Sequence, residues 1–125
     1  MPHVVFDKEI DLDCFSKEFN ELIETKPFLI KLLDVFLDRK KRIALIPAVV
    51  IDKLHQQFLI EITTRKDKTT IRLFPGTDPE KTDGVKMSLG LTAKMISEKN
   101  PDHKVTKTNI EDFLSVDDAS KIVST

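Results

Sequence analysis

Pro2, directly behind the start methionine, is the one residue whose position alone offers a reactive group. Removal of Met1 would expose a secondary amine near the ordinary α-amino pKa of about 7.7 to 8.0. Such an amine, desolvated or flanked by Arg and Lys, serves as a base at neutral pH. The same proline is equally at home as the first residue of an edge strand. The remaining chemistry-bearing clusters are basic. "RKKR" at 39–42 and "RKDK" at 65–68 each stand at the start or tip of an expected strand. If the topology brings them to one end of a sheet, Arg39, Lys41, Arg42 and Arg65 form a site for a small anion, because guanidinium holds carboxylate or phosphate bidentately. If it does not, they are charges that keep hairpin tips and sheet edges soluble.

Other signatures are missing. The glycines stand at 76, 84 and 90 only, so neither a phosphate-binding loop nor a dinucleotide fingerprint can be written. There is no HExxH and no GxSxG, and His3, His55 and His103 are scattered, so neither a metal site nor a cofactor is expected. Asp78, Glu80 and Asp83 crowd one loop, but their spacing does not fit a calcium loop and they read as a turn with caps. Cys14 is alone, which excludes an internal disulfide. Near a helix start its thiol has reason to be acidified, whereas a free cysteine is more often simply packed.

These residues sit in a chain of 125, the usual size of one domain, with 40% apolar and 33% charged residues. Its longest apolar runs, such as "IALIPAVVI", are about half of the roughly 20 residues a membrane span requires. The first ten residues hold Asp7 and Glu9 and no basic segment leading into an apolar one, so no secretory signal is expected and the compartment is read as cytoplasmic. Lys and Arg number 20 against 21 Asp and Glu, for a net charge of -1, and duplex DNA is not expected as a partner. The absence of Trp and Tyr argues mildly against a large aromatic-anchored interface.

Periodicity and turn chemistry indicate the elements that must position these groups. "PHVVFDK" alternates as a strand, with Val4 and Phe6 on one face and His3, Val5 and Asp7 on the other. "DLDCFSKEFNELIE" carries Leu12, Phe15, Phe19, Leu22 and Ile23 at helical spacing behind the acids Asp11 and Asp13. In "FLIKLLDVFLDRK", Lys31, Asp34 and Asp38 recur at three and four residues, which favours a second helix opened by Pro27 over a strand. "IALIPAVVI" is apolar on both alternating sets and reads as a strand covered on two faces. Pro47 requires an edge, a bulge or a change of neighbour within it. "QFLIEITT" and "TTIRLF" form a hairpin around "RKDK", with Phe58, Ile60 and Ile62 on the side of Ile71 and Leu73. "PGTDPEKTDG" is a loop, and Asp83 is placed to cap the next helix. "GVKMSLGLTAKMISEKN" is that helix despite Gly90, which costs about 1 kcal/mol in a helix interior. "HKVTK" is a short strand, and "NIEDFLSVDDASKIV" a helical turn or two with Thr108 and Ser115 as caps.

The opening "MPHVVF", a strand headed by Met-Pro, then an amphipathic helix and a strand approached through basic residues, resembles the start of the tautomerase superfamily, the macrophage migration inhibitory factor-like proteins. "GLTAKMISEKNPDHKV", a helix ending before a short strand, is similar in order to the second half of that fold. The resemblance implies a trimer in which Pro2 is the general base, with Arg42, or else Lys41, anchoring an enol or keto acid. Residues 27–39 and the "TTIRLF" strand are additional to the family plan.

The expectation is one α+β domain over 1–125: a two-layer sandwich, its mixed sheet containing an antiparallel hairpin and packed by two or three helices, with about 109–125 as a peripheral tail. Its expected role is a small binding or oligomerising module, forming a homo-oligomer or holding a small anion. The alternative is a Pro2-dependent tautomerase.

Overall fold

The computed structural model describes residues 1–114. In chain order these form β1 (His3–Phe6), α1 (Leu12–Glu18), β2 (Leu22–Glu24), β3 (Leu29–Leu32), β4 (Phe36–Leu37), β5 (Ile43–Ile51), β6 (His55–Arg65), β7 (Lys68–Leu73), α2 (Asp83–Lys99) and β8 (Val105–Thr108), with a 3-10 turn at Glu111–Phe113. The fold is mixed α+β, and all the strands join one sheet in the order β2-β3-β5-β6-β7-β1-β8, with β4 beside β5.

Every pairing among the described residues is antiparallel, which corrects the mixed sheet expected from a β-α-β opening. The strand after α1 does not return beside β1. Instead β2 pairs with β3 at one edge, while β1 enters between β7 and β8 at the other.

Strand alternation places the core. Ala44, Ile46, Ala48 and Val50 of β5, Phe58, Ile60 and Ile62 of β6, Ile71 and Leu73 of β7, and Val4 and Phe6 of β1 are buried together. They meet α2 through Val85, Leu89, Ala93 and Ile96. Thr82 caps that helix, its Oγ1 accepting from Val85 N at 3.3 Å, so Asp83 stands in the first turn and is not the cap. Gly90 is required by a close approach: a Cβ there would lie 2.0 Å from the carbonyl oxygen of Phe113. The propensity cost of a mid-helix glycine is thus offset by docking the 3-10 turn on α2. Ile110 is buried in the core, while Asn109, Glu111 and Asp112 around it are exposed. Thr108 ends β8 and its Oγ1 accepts from Ile110 N, but Ile110 itself holds the cap position of the 3-10 turn, so Thr108 is not its cap; Ser115 lies outside the described residues.

Two helical expectations are corrected. The first helix ends at Glu18, and Leu22 and Ile23 pair with Leu32 and Lys31 in the sheet. Residues 28–39 contain β3 and β4, not a helix. The spacing of Asp34 and Asp38 there reflects turn formation. Asp34 Oδ1 accepts from Val35 N at 2.7 Å, and Asp38 Oδ1 accepts from Arg42 N at 2.8 Å and Ile43 N at 2.9 Å. Short acidic side chains that bond nearby backbone N–H groups stabilise turns in this way. Pro27 follows a cis peptide bond between β2 and β3 and opens no helix.

Pro47 stands where β5 changes neighbour. Ala48 pairs with Leu32 of β3, while Leu45 pairs with Phe36 of β4. The expectation that β5 is covered on two faces is corrected. Ile43, Leu45, Pro47, Val49 and Ile51 alternate with the buried set and are half-buried or exposed, because α2 packs on the opposite face.

Candidate functional site

The hairpin register brings the two basic runs together. The strands extend to Arg65 and resume at Lys68, leaving only Lys66 and Asp67 as the turn, with Asp67 in the left-handed region at φ 64°. An aspartate tolerates that conformation better than most residues. Thr64 N donates to the Arg42 carbonyl at 2.9 Å, which sets the β4–β5 turn beside the β6–β7 hairpin tip. Asp38, Arg39, Lys40, Arg42, Ile43, Thr63, Thr64 and Arg65 then line one open depression of about 690 Å³.

The four cations expected there are not equivalent. Arg42 Nη1 donates to Glu9 Oε2 at 2.9 Å, and Lys41 Nζ lies 3.3 Å from Asp13 Oδ1. These pairs fasten the segment before and into α1 to the β4–β5 turn. Lys41 itself is at φ 58° and does not line the large depression. Asp38, the carboxylate of that lining, is engaged by backbone donors. The Ile43 N–H foremost, with those of Arg42 and Lys40, holds its carboxyl below the usual carboxylate range despite burial. Arg39, Lys40 and Arg65 have no ion-pair partner among the described residues.

Pro2 is elsewhere. Along the register, Phe6 faces Thr69, which faces Thr64, whereas His3 faces Arg72, which faces Glu61. Pro2 precedes His3 and so lies at the opposite end of β1 from the level of Arg42 and Arg65, with about 13 Å of extended strand between it and Phe6. It is buried, and Asn109 clamps both of its flanks: Asn109 Nδ2 donates to the Met1 carbonyl at 2.9 Å and its Oδ1 accepts from His3 N at 3.0 Å. The His3 ring nitrogen Nδ1 lies 2.9 Å from the same Met1 carbonyl.

A cluster not anticipated from sequence lies on the face of the hairpin turned away from α2. Arg65 faces Lys68, Thr63 faces Thr70 and Glu61 faces Arg72, all on that one side. The Glu61 side chain is only 8% exposed, and its Oε1 accepts from Arg72 Nε at 2.8 Å and from Thr63 Oγ1 at 3.1 Å. Thr63, Arg65, Lys68, Thr70 and Arg72 enclose a depression of about 220 Å³. The signal was present in the alternation Glu61, Thr63, Arg65 and Lys68, Thr70, Arg72. A turn of two or of four residues centred on "RKDK" gives this same register; what the sequence does not show is the Glu61 carboxylate bonded to Arg72.

Cys14 meets neither expectation. It is exposed, and its Sγ donates to Glu18 Oε1 at 3.2 Å; the bond to the Glu18 carboxylate pushes the thiol up, not down. Asp78 of the acidic loop pairs with Lys81. Among the described residues no helix is long and apolar enough to cross a membrane. Comparison with protein-family models, curated proteins and solved structures finds no match to this chain.

Proposed function

We propose that this chain is a small binding module that holds an anionic ligand at the basic end of its sheet, over Arg39, Lys40 and Arg65. The observation that carries this reading is the convergence of "RKKR" and "RKDK" on one depression whose own carboxylate, Asp38, is engaged by backbone N–H groups. The domain is taken as two layers, helices on one face and the other left as the working surface. Contacts of α2 with β1, β3, β5 and β7 support that division.

The test is a titration with small carboxylates and phosphates at low and high salt, read by amide chemical shifts. Binding is expected to weaken with salt and to be lost in Arg39→Ala/Arg65→Ala, since exposed charge pairs are screened. Equal binding by that double variant would reject the reading.

A second reading is self-association through the uncovered face, which carries Ile23, Leu33, Phe36, Ile43 and Ile51 as exposed apolar side chains. Large exposed apolar patches mark interaction sites; within this one Lys31 stands between Ile23 and Val49, and at its margin Leu45 faces Glu61 of the hairpin. Two copies can meet over the β2–β4 part of that face, beside the charged ladder of the β6–β7 hairpin. Sedimentation velocity across a concentration series checks this, and a monomer at every concentration excludes it.

The Pro2 tautomerase alternative requires loss of Met1, whose carbonyl is bonded by Asn109. Intact mass decides it. A retained methionine removes the amine, and a processed chain must lose turnover of phenylenolpyruvate on Pro2→Ala.

A further inference from the structure

The Glu61–Arg72 pair is an unusual feature for an otherwise uncovered sheet face. A carboxylate so deeply buried is costly unless bonded, and both of its hydrogen bonds lock the same neighbourhood. Arg72 Nε is held by Glu61, and the two Nη groups make no hydrogen bond to the described residues. The guanidinium is thereby fixed in position while its side chain stays 45% exposed. Lys68 and Arg65 stand along the same ladder, with the Thr63 and Thr70 hydroxyls between them. Among the described residues no carboxylate lines this depression, and Glu61, bonded to Arg72 and Thr63, lies beneath them.

We propose that the depression bounded by Thr63, Arg65, Lys68, Thr70 and Arg72 is a phosphoryl-binding subsite, and that the ligand is an organic phosphate monoester with an apolar body. Two guanidinium groups, an ammonium and a hydroxyl present more donors and more positive charge than a two-oxygen carboxylate can use, and match a dianion with three terminal oxygens. Its size of about 220 Å³ falls below the roughly 300 Å³ at which pockets for whole drug-sized ligands begin, so it takes a headgroup and not a complete ligand. The rest of the ligand has a place beside it. The larger depression shares Thr63 and Arg65 with this one and adds Ile43 and the aliphatic stems of Arg39, Lys40 and Arg42. The proposal rests on the anion-binding reading above and narrows it, moving the anionic group from Arg39 and Lys40 to Lys68 and Arg72 around the shared Arg65.

The probes are phenyl phosphate and benzoate, which share an apolar ring and differ in the anionic group, measured by calorimetry on the full chain. Vesicles of phosphatidylcholine with and without phosphatidic acid distinguish a lipid headgroup from a free phosphate. Phenyl phosphate, or the phosphatidic acid vesicles if the phosphoryl belongs to a lipid, is expected to bind at least about tenfold tighter than benzoate. Lys68→Ala and Arg72→Gln are each expected to weaken that binding about tenfold, the value of one charge-assisted hydrogen bond. Lys68 is exposed and has no ion-pair partner among the described residues, so its replacement keeps the test valid even if Arg72→Gln, by stranding Glu61, fails to fold. Benzoate binding as tightly as phenyl phosphate, with Arg39→Ala weakening both, would overturn the phosphoryl subsite and leave the anion-binding reading standing. Phenyl phosphate binding that depends on Lys68 but not on Arg39 or Lys40 would do the reverse to the apolar-body half. Binding unchanged by Lys68→Ala and Arg72→Gln overturns the proposal outright.

Discussion

The two faces of the β6–β7 hairpin are built from alternate residues of the same strands and have opposite characters. On the side of α2, Ile60, Ile62, Ile71 and Leu73 are at most 1% exposed. On the other, Glu61, Thr63, Arg65, Lys68, Thr70 and Arg72 form a polar ladder in which the buried Glu61 pairs with a half-exposed Arg72. The first face is specified by packing, where volume decides. The second tolerates any residue that suits an open pleated surface, so its concentration of charge is a choice that stability does not dictate.

That contrast can be broken at neighbouring residues. Ile62→Ala is expected to cost about 2 to 5 kcal/mol by leaving a cavity in the core, where Ile62 is fully buried. Thr63→Ala, one residue on, should cost less than about 1 kcal/mol, the loss being its hydrogen bond to Glu61. Urea denaturation measures both, and similar costs would mean that the outer face is covered in solution.

Gly90→Ala sharpens the packed side. Helix propensity alone predicts a gain of about 1 kcal/mol. The 2.0 Å approach to the Phe113 carbonyl predicts instead a net loss of about 1 to 3 kcal/mol, since backbone cannot yield as a flexible side chain can. A more stable variant would show that the 3-10 turn does not dock on α2.

On the uncovered side, Phe36→Ser is expected to change unfolding free energy by no more than about 0.5 kcal/mol, because this ring is already 57% exposed. If the sheet face mediates self-association, the same variant weakens it, and sedimentation reports the two effects separately.

The smallest effect is electrostatic and falls on the turns. Asp38 is held below the usual carboxylate range by backbone donors. In Asp52 burial acts upward, but bonds from Thr82 and the Leu54, Gly84 and Lys53 N–H groups outweigh it, so it too is lowered. With folded values below the unfolded one of about 3.9, their stabilisation is complete above that pH and is lost as pH falls through the folded values. Asp38→Asn should flatten part of that acid limb in a pH series of melting temperatures. An unchanged limb would mean that the bonds to Arg42 and Ile43 do not persist in solution.

The core of β1, the hairpin and α2 was legible from the sequence because each carries a periodicity long enough to outvote local ambiguity. Val4 and Phe6, Ile60 and Ile62, and Leu89 and Ile96 all lie inside as their spacing requires. Pro47 marked an edge, a bulge or a change of neighbour, because a residue without an N–H cannot serve one ladder along its full length, and the structure chose the last. Segments 19–24 and 28–39 were not. Their apolar residues fit both periods over so few positions that pairing with β5, a contact distant in sequence, made the choice.

For the site, residue type by itself determined that Arg39, Lys41, Arg42 and Arg65 were available cations and that Pro2 was the one potential amine base. Whether they meet is a matter of strand register, and register is set by turn length and by the burial of one face. The tertiary structure alone decided that the basic runs converge, that Glu9 and Asp13 occupy Arg42 and Lys41, that Pro2 stands at the far end of β1, and that Lys68 and Arg72 join Arg65. A shift of one residue in the β6–β7 pairing would have turned that whole ladder into the core.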